Sequence, residues 1–209
     1  NRSSRGLGDV YKRQKLNGGW TSWYEGGIIK EKSGSYSNNK LDQKWTYWAD
    51  DGRKTEEITY SNGIKNGPYM SWNNDNYKVV EGEYLKDEKH GTWTLWYDDG
   101  IMKGKENYSN GEMDGQWTWW RPNGIKEREG NYKNGVKHGL WVSWNNDDHK
   151  KGEETYVNGV LDGLVTIWHD NGNKDREGII RGNEPEGSWT YYYPDGREDF
   201  RFDYGSGLD

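Results

Sequence analysis

The chain has 209 residues, 29 Lys and Arg against 35 Asp and Glu, a net charge of −6 and a mean hydropathy of −1.35. Only 30% of it is aliphatic, aromatic or Cys and Phe occurs twice, yet there are 14 Trp and 16 Tyr. This rules out a thick aliphatic core, a membrane-spanning run of roughly 18 apolar residues and, with no Cys, any disulfide framework or Cys-based metal or redox chemistry; a thin sheet stitched by rings that each bury roughly 150–250 Å² stays open.

Residues 1–14 end Asp9-Val10-Tyr11-Lys12-Arg13-Gln14 and do not share the pattern that follows. The string resembles an in-frame translation of the mosaic-end adaptor of transposon-based sequencing libraries. It is expected to be a non-native, disordered segment, so the native N-terminus is out of view and the compartment, cytoplasmic or secreted, is left open. Without Arg2, Arg5, Lys12, Arg13 and Asp9 the balance is 25 basic against 34 acidic residues, net −9. An acidic chain attracts neither nucleic acid nor an anionic membrane through bulk charge.

From Lys15 onward the chain repeats every 24 residues. One column is Tyr36, Tyr60, Tyr84, Tyr108, Tyr132 and Tyr156, continued by Ile180 and Tyr204. A second is Trp45, Tyr69, Trp93, Trp117, Trp141, Val165 and Trp189, and a third is Trp48, Trp72, Trp96, Trp120, Trp144, Trp168 and Tyr192. Trp20 and Trp23 match both Trp columns once one extra residue is allowed. Gly67, Gly91, Gly115, Gly139, Gly163 and Gly187 stand two residues before the first Trp, with Gln43 as the exception. Residues 15–209 therefore read as one domain of one partial and about seven full repeats.

Within each unit an aromatic, β-prone segment such as Lys44-Trp45-Thr46-Tyr47-Trp48-Ala49 predicts a first strand. Asp50-Asp51-Gly52 and its relatives predict a tight turn, because the last place needs a positive φ; Asn76 and Asp148 stand there as residues that tolerate it. A second strand such as Lys54–Tyr60 runs to the column Tyr, and Asn62-Gly63, Asn110-Gly111, Asn134-Gly135 and Asn158-Gly159 close the unit. No segment shows helical spacing. Short turns at both strand ends predict an all-β fold, tandem β-hairpins in an elongated, twisted antiparallel meander, with a β-solenoid as the alternative. At about 10 Å per repeat, such a ribbon spans roughly 70–80 Å.

Trp45 and Trp48 are three apart, so a regular strand sends them to opposite faces, unless a bulge beside the turn rotates one of them. Tyr60, Tyr84, Tyr108, Tyr132, Tyr156, Trp45, Trp93, Trp117, Trp141 and Trp189 are assigned to a structural aromatic ladder. Trp48, Trp72, Trp96, Trp120, Trp144 and Trp168 are the candidates for gripping a partner. Glu57, Glu81, Glu129, Glu153 and Glu177 form a Glu column, with Lys54, Lys78, Lys126, Lys150 and Lys174 three residues earlier. These charges read first as a solvated face that blunts the sheet; the acidic excess offers a stripe to a basic partner.

Catalytic chemistry finds no foothold. His90 and His138 share a repeat position but sit two repeats apart, roughly 20 Å, too far to share a metal. Asn146-Asp147-Asp148 is a fragment of a calcium loop whose remainder is missing, and Asx-turn chemistry explains it. There is no P-loop, G-x-S-x-G or H-E-x-x-H motif. An active site needs a unique constellation, whereas nearly every residue here has a counterpart in the next repeat. No enzyme activity, catalytic residue, metal or cofactor is expected.

The unit Tyr132-Lys133-Asn134-Gly135-Val136-Lys137-His138-Gly139-Leu140-Trp141-Val142-Ser143-Trp144, and likewise Tyr108 to Trp120, resembles the MORN-repeat variant unit of bacterial proteins labelled YwqK family antitoxins. The resemblance runs from Lys15 to about Tyr204. Departures are Asn39 and Gln43, Pro68-Tyr69, Leu164-Val165, and Gly182-Asn183-Glu184-Pro185. It implies hairpin repeats, a protein partner and, loosely, neutralisation of a toxin encoded nearby. The rival reading is a carbohydrate or cell-wall module of the choline-binding type, since rows of Trp and Tyr stack on sugars or cage quaternary ammonium groups; Tyr191-Tyr192-Tyr193 is the one spot comparable with its aromatic triplets.

Overall fold

The computed structural model describes residues 15–205; the adaptor-like segment 1–14 lies outside the described residues. Two compact units divide between Glu88 and Lys89. The first holds β1 (Gly18–Trp23), β2 (Lys30–Ser37), β3 (Lys40–Trp48), β4 (Lys54–Ser61), β5 (Ile64–Trp72) and β6 (Lys78–Leu85). The second holds β7 (Glu88–Trp96), whose first residue precedes the division, then β8 (Met102–Ser109), β9 (Glu112–Met113) and β10 (Gly115–Trp120). It continues through β11 (Lys126–Lys133), β12 (Val136–Trp144), β13 (Lys150–Val157), β14 (Val160–Trp168), β15 (Lys174–Arg181), β16 (Glu184–Tyr192) and β17 (Glu198–Asp203).

Within each unit consecutive strands pair antiparallel, except that β9 and β10 are two pieces of one strand interrupted at Asp114 and both pair with β8. No helix occurs among the described residues. The fold is the predicted all-β hairpin meander; a solenoid, whose neighbouring strands run parallel, does not describe it.

The turns explain the order. Asn62-Gly63, Asn110-Gly111, Asn134-Gly135 and Asn158-Gly159 have both φ values positive, from 49° to 85°, the twist that tight hairpins need. Each turn is also tied back to the preceding first strand: Gly135 N–H donates to the Met113 carbonyl at 2.9 Å, and Gly159 N–H to Lys137 at 2.8 Å. At the other end Gly52, Gly100, Gly124, Gly172 and Gly196 take φ of 80–87°, and Asn76 and Asp148 take 64° and 62° in the same place, as predicted.

The Gly column has its own reason. Where β11 faces β12, pairing jumps from Glu129↔Val142 to Asn131↔His138, so Gly130 alone faces the bulge Gly139-Leu140-Trp141. The bulge turns on a positive φ at Gly139, 74°, and the same holds at Gly67, Gly91, Gly115, Gly163 and Gly187. Gln43 is forced to φ 59° in that place. Left-handed backbone costs a side-chain-bearing residue about 1–2 kcal/mol, part of which glycine returns in the unfolded chain. Gln43→Gly is therefore expected to stabilise the first unit by about 1 kcal/mol, checked by denaturant midpoint; an unchanged or lowered midpoint contradicts it.

A second irregularity beside the turn reorganises the faces. Tyr47 pairs with Glu56 but Trp48 pairs with Lys54, so Thr55 is skipped, and the same jump recurs at Trp72, Trp96, Trp120, Trp144 and Trp168. The skip does not rotate Trp48 toward Trp45. It brings Lys54 and Glu57, three apart and otherwise on opposite faces, onto the same face as Trp48.

Candidate functional site

One face carries the first Trp column. Trp45, Trp93, Trp117, Trp141 and Trp189 are only 1–6% exposed, a burial rare for indoles in a single sheet. The cause lies one strand back. Trp45, Trp117, Trp141 and Trp189 each donate Nε1–H to a backbone carbonyl ten residues earlier, those of Ser35, Asn107, Asn131 and Ile179, at 3.0–3.1 Å. Trp45, Trp141 and Trp189 lie flat on Gly34, Gly130 and Gly178, where an added Cβ would come within 2.3 Å of the indole. The column tyrosines close the sides edge-on: Tyr36 against Trp45 and Tyr132 against Trp141, both with ring centres 5.0 Å apart. Tyr69 takes the Trp place over Ile58 and meets Tyr84 edge-on at 5.5 Å.

Ammonium groups cover this face. Lys137 Nζ stands 4.5 Å from the ring centres of both Trp141 and Tyr156, and Tyr156 donates its hydroxyl to Glu154 at 2.8 Å. The same constellation occurs 48 residues earlier: Lys89 stands 4.5 Å from Trp93 and 4.6 Å from Tyr108, and Tyr108 donates to Glu106 at 2.9 Å. Burial, then the Glu154 carboxylate, pushes the Tyr156 phenol up to about 12; burial, then Glu106, holds the Tyr108 phenol above its ordinary value. Burial pushes up Tyr60, Tyr84 and Tyr132 as well. It holds the Lys137 ammonium below its usual range, opposed by Glu154.

The opposite face carries the candidate partner-binding ladder. Trp48, Trp72, Trp96, Trp120, Trp144 and Trp168 are all half-buried, and Trp23 is 48% exposed. The Lys column lies across these rings: Lys54 over Trp72 at 5.1 Å, Lys126 over Trp144 at 4.7 Å and Lys150 over Trp168 at 5.6 Å. Each Lys is held by the Glu three residues on, Lys54 by Glu57 at 2.7 Å, Lys126 by Glu129 at 2.8 Å and Lys174 by Glu177 at 2.7 Å. The Glu column is therefore neutralised by its own Lys column, and this face is an alternation of indoles and ion pairs.

The turn beyond the ladder ties successive repeats together. Tyr24 donates its hydroxyl to the Trp48 carbonyl at 2.7 Å and Tyr97 to that of Trp120 at 2.8 Å, and the Arg121 guanidinium donates to the Trp144 carbonyl at 2.6 Å. Two histidines serve here too: His169 Nε2 lies 3.0 Å from the Tyr192 carbonyl and His149 Nδ1 2.9 Å from that of Asp170. No group of three or more His, Asp or Glu side chains gathers in metal-binding geometry among the described residues.

Sequence reasoning missed one feature because it searched for columns that repeat. Beside the buried Trp ladder runs a row of cross-strand partners that does not repeat: Leu95–Gly104–Trp119–Arg128–Ser143–Gly152 in the second unit, continuing through Ile167 and Arg176. In the first unit the row is Lys32–Tyr47–Glu56–Ser71–Val80. Its signal in the sequence is disagreement between repeats at a fixed place, two residues after each first-column Trp and eleven after it. Here the surface has individuality, with bulk, charge and hollows changing from strand to strand.

Residues 89–110 and 113–134 match the MORN repeat variant family, two consecutive segments of the second unit that run from β7 into β11. No curated protein matches the chain.

Proposed function

We propose that the chain is a non-enzymatic repeat scaffold that holds another protein through the ladder Trp48, Trp72, Trp96, Trp120, Trp144 and Trp168, acting as an antitoxin toward a toxin encoded nearby. The observation that carries this reading is the contrast between the two Trp columns. One is sealed within the sheet, whereas the other stays half-buried at a constant step, interleaved with ion pairs. Half-buried aromatics ringed by polar groups are what protein interfaces use as anchors. A glycan is less well served, because a sugar stacking on Trp144 has to displace the Lys126 ammonium 4.7 Å from that ring. The MORN match supports a scaffold role.

The test is affinity capture with the product of the adjacent gene. Trp144→Ala is expected to weaken capture by at least about tenfold with little change in melting temperature. The purified chain is expected to stay silent in hydrolase, transferase and nuclease assays. Capture that survives Trp144→Ala unchanged removes the ladder from the interface; turnover that follows the protein through purification overturns the scaffold reading.

A further inference from the structure

The non-repeating row opens a hollow on the face opposite the proposed partner ladder. Ser143 and Gly152 are small where their neighbours along the row, Arg128 and Ile167, are large. The resulting cleft has a volume of about 130 Å³, floored by Trp141 and Gly152 and walled by Arg128, Lys137 and Glu154. Arg128 and Lys137 take part in none of the ion pairs found among the described residues, in contrast to Lys126 and Lys150, which are matched to Glu129 and Glu153. The Arg128 side chain is exposed. Glu154 is engaged by the Tyr156 hydroxyl at 2.8 Å. Two cations and one committed anion leave a single net positive charge at the mouth of the cleft.

We propose that this cleft binds a carboxylate group. A guanidinium fork matches a carboxylate in two parallel hydrogen bonds, and charge-assisted bonds of this kind are the strong ones. The anion sits between the two cations above the buried Trp141, and its charge relieves the repulsion between Arg128 and Lys137. A single net positive charge favours a monoanion, because the cost of stripping water from a dianion such as phosphate grows faster with charge than its attraction to the site. The constellation around Lys89 in the same unit repeats the Lys, Trp, Glu and Tyr of this site, but its Ser and Gly places are Leu95 and Gly104. The hollow therefore belongs to the Lys137 copy.

The test is titration of the intact chain, followed by Trp fluorescence and by the Arg128 Nε–H signal in NMR. The probes are N-acetylglutamate amide, a short oligoglutamate peptide, inorganic phosphate and the glutamine counterpart of the first. Saturable binding of the two carboxylates and not of the glutamine compound is expected. Arg128→Gln should weaken it by at least about tenfold. Glu154→Gln, which removes the resident negative charge, should tighten it several-fold, a result that damage to the fold cannot mimic. A peptide that binds more tightly than the capped amino acid points to an acidic stretch of another chain as the occupant, and equal affinities point to a free carboxylate. An unresponsive wild type, binding that survives Arg128→Gln, weakening in Glu154→Gln, or a preference for phosphate overturns the assignment. Because Trp144 lies on the other face, loss of this site and loss of the capture proposed above are separately visible.

Discussion

Gly130→Ala is expected to destabilise the second unit by about 3 kcal/mol or more, although it adds one methyl group. A Cβ at Gly130 would stand 2.3 Å from Cδ2 of the Trp141 indole, far inside van der Waals contact. Trp141 is 2% exposed, donates Nε1–H to the Asn131 carbonyl at 3.1 Å and meets Tyr132 and Trp119 with ring centres 5.0 and 6.3 Å away. The indole cannot slide aside without giving up that bond and those contacts together. Gly152→Ala is the control: it too is a buried strand glycine, but its Cβ would meet Ser143 Oγ at 3.2 Å and the flexible end of Ile167 at 3.5 Å. That substitution should cost less than about 1 kcal/mol. The pair separates indole seating from the general effect of adding a Cβ to a strand. In a double-mutant cycle, Gly130→Ala should cost little once Trp141→Ala has emptied the seat. Equal losses for Gly130→Ala and Gly152→Ala in a denaturant titration would falsify the seating argument.

The same glycines mark what the sequence shows and what it conceals. The 24-residue period, the Asn-Gly turns and the two Trp columns were all readable, because each arises from local chemistry that every unit restates. What buries the first column rather than the second was not. Both are Trp, both lie in one strand, and alternation alone assigns them only to opposite faces. The choice is made by the residue eleven places before the first Trp, which belongs to the preceding hairpin. Gly34, Gly130 and Gly178 stand there before Trp45, Trp141 and Trp189, whereas Ile58 and Glu154 precede Tyr69 and Val165. Small residue under large ring and larger residue under smaller side chain is a packing rule across strands, and it recurs on 48 rather than 24 residues, so a search at the shorter period averages it away. Trp117 over Glu106 departs from it and still keeps its bond to Asn107 at 3.0 Å. The Lys–Glu columns were visible as charges but not as pairs. Three residues apart in a regular strand they face away from each other; only the skipped residue beside the turn, Thr55 in β4, brings Lys54 onto Glu57. The Arg128 cleft was hidden for the opposite reason: it exists because repeats differ there.

Raising the pH past 10 should progressively destabilise the chain. Tyr47, Tyr60, Tyr69, Tyr84, Tyr108, Tyr132 and Tyr156 all have phenols pushed above their ordinary value of 10, chiefly by burial, and Tyr156 reaches about 12. Below pH 10 these phenols are protonated in both states, and the stability linked to their shifts is fully present. Above it the unfolded chain releases protons that the folded chain still holds, so stability falls with rising pH until the folded phenols titrate too. Each ring is only partly buried, so each contributes less than the roughly 1.4 kcal/mol per pH unit of a fully shifted group. Their number makes the sum large against ordinary domain stability. Lys137 runs the other way: its folded ammonium is held below the usual range, so losing its proton slightly favours the folded state, one group against seven. The melting temperature is expected to be flat up to about pH 10 and then to drop by on the order of 10 °C or more by pH 12. Tyrosinate absorbance should rise together with loss of the β-sheet circular dichroism. Glu106→Gln and Glu154→Gln, which remove the carboxylates facing Tyr108 and Tyr156, should move ionisation of those two phenols to lower pH. Tyrosines that ionise one by one near pH 10 while the sheet persists would show that the aromatic face is wetter than its geometry requires, and that the rings seal less of the sheet than the burial of the first Trp column demands.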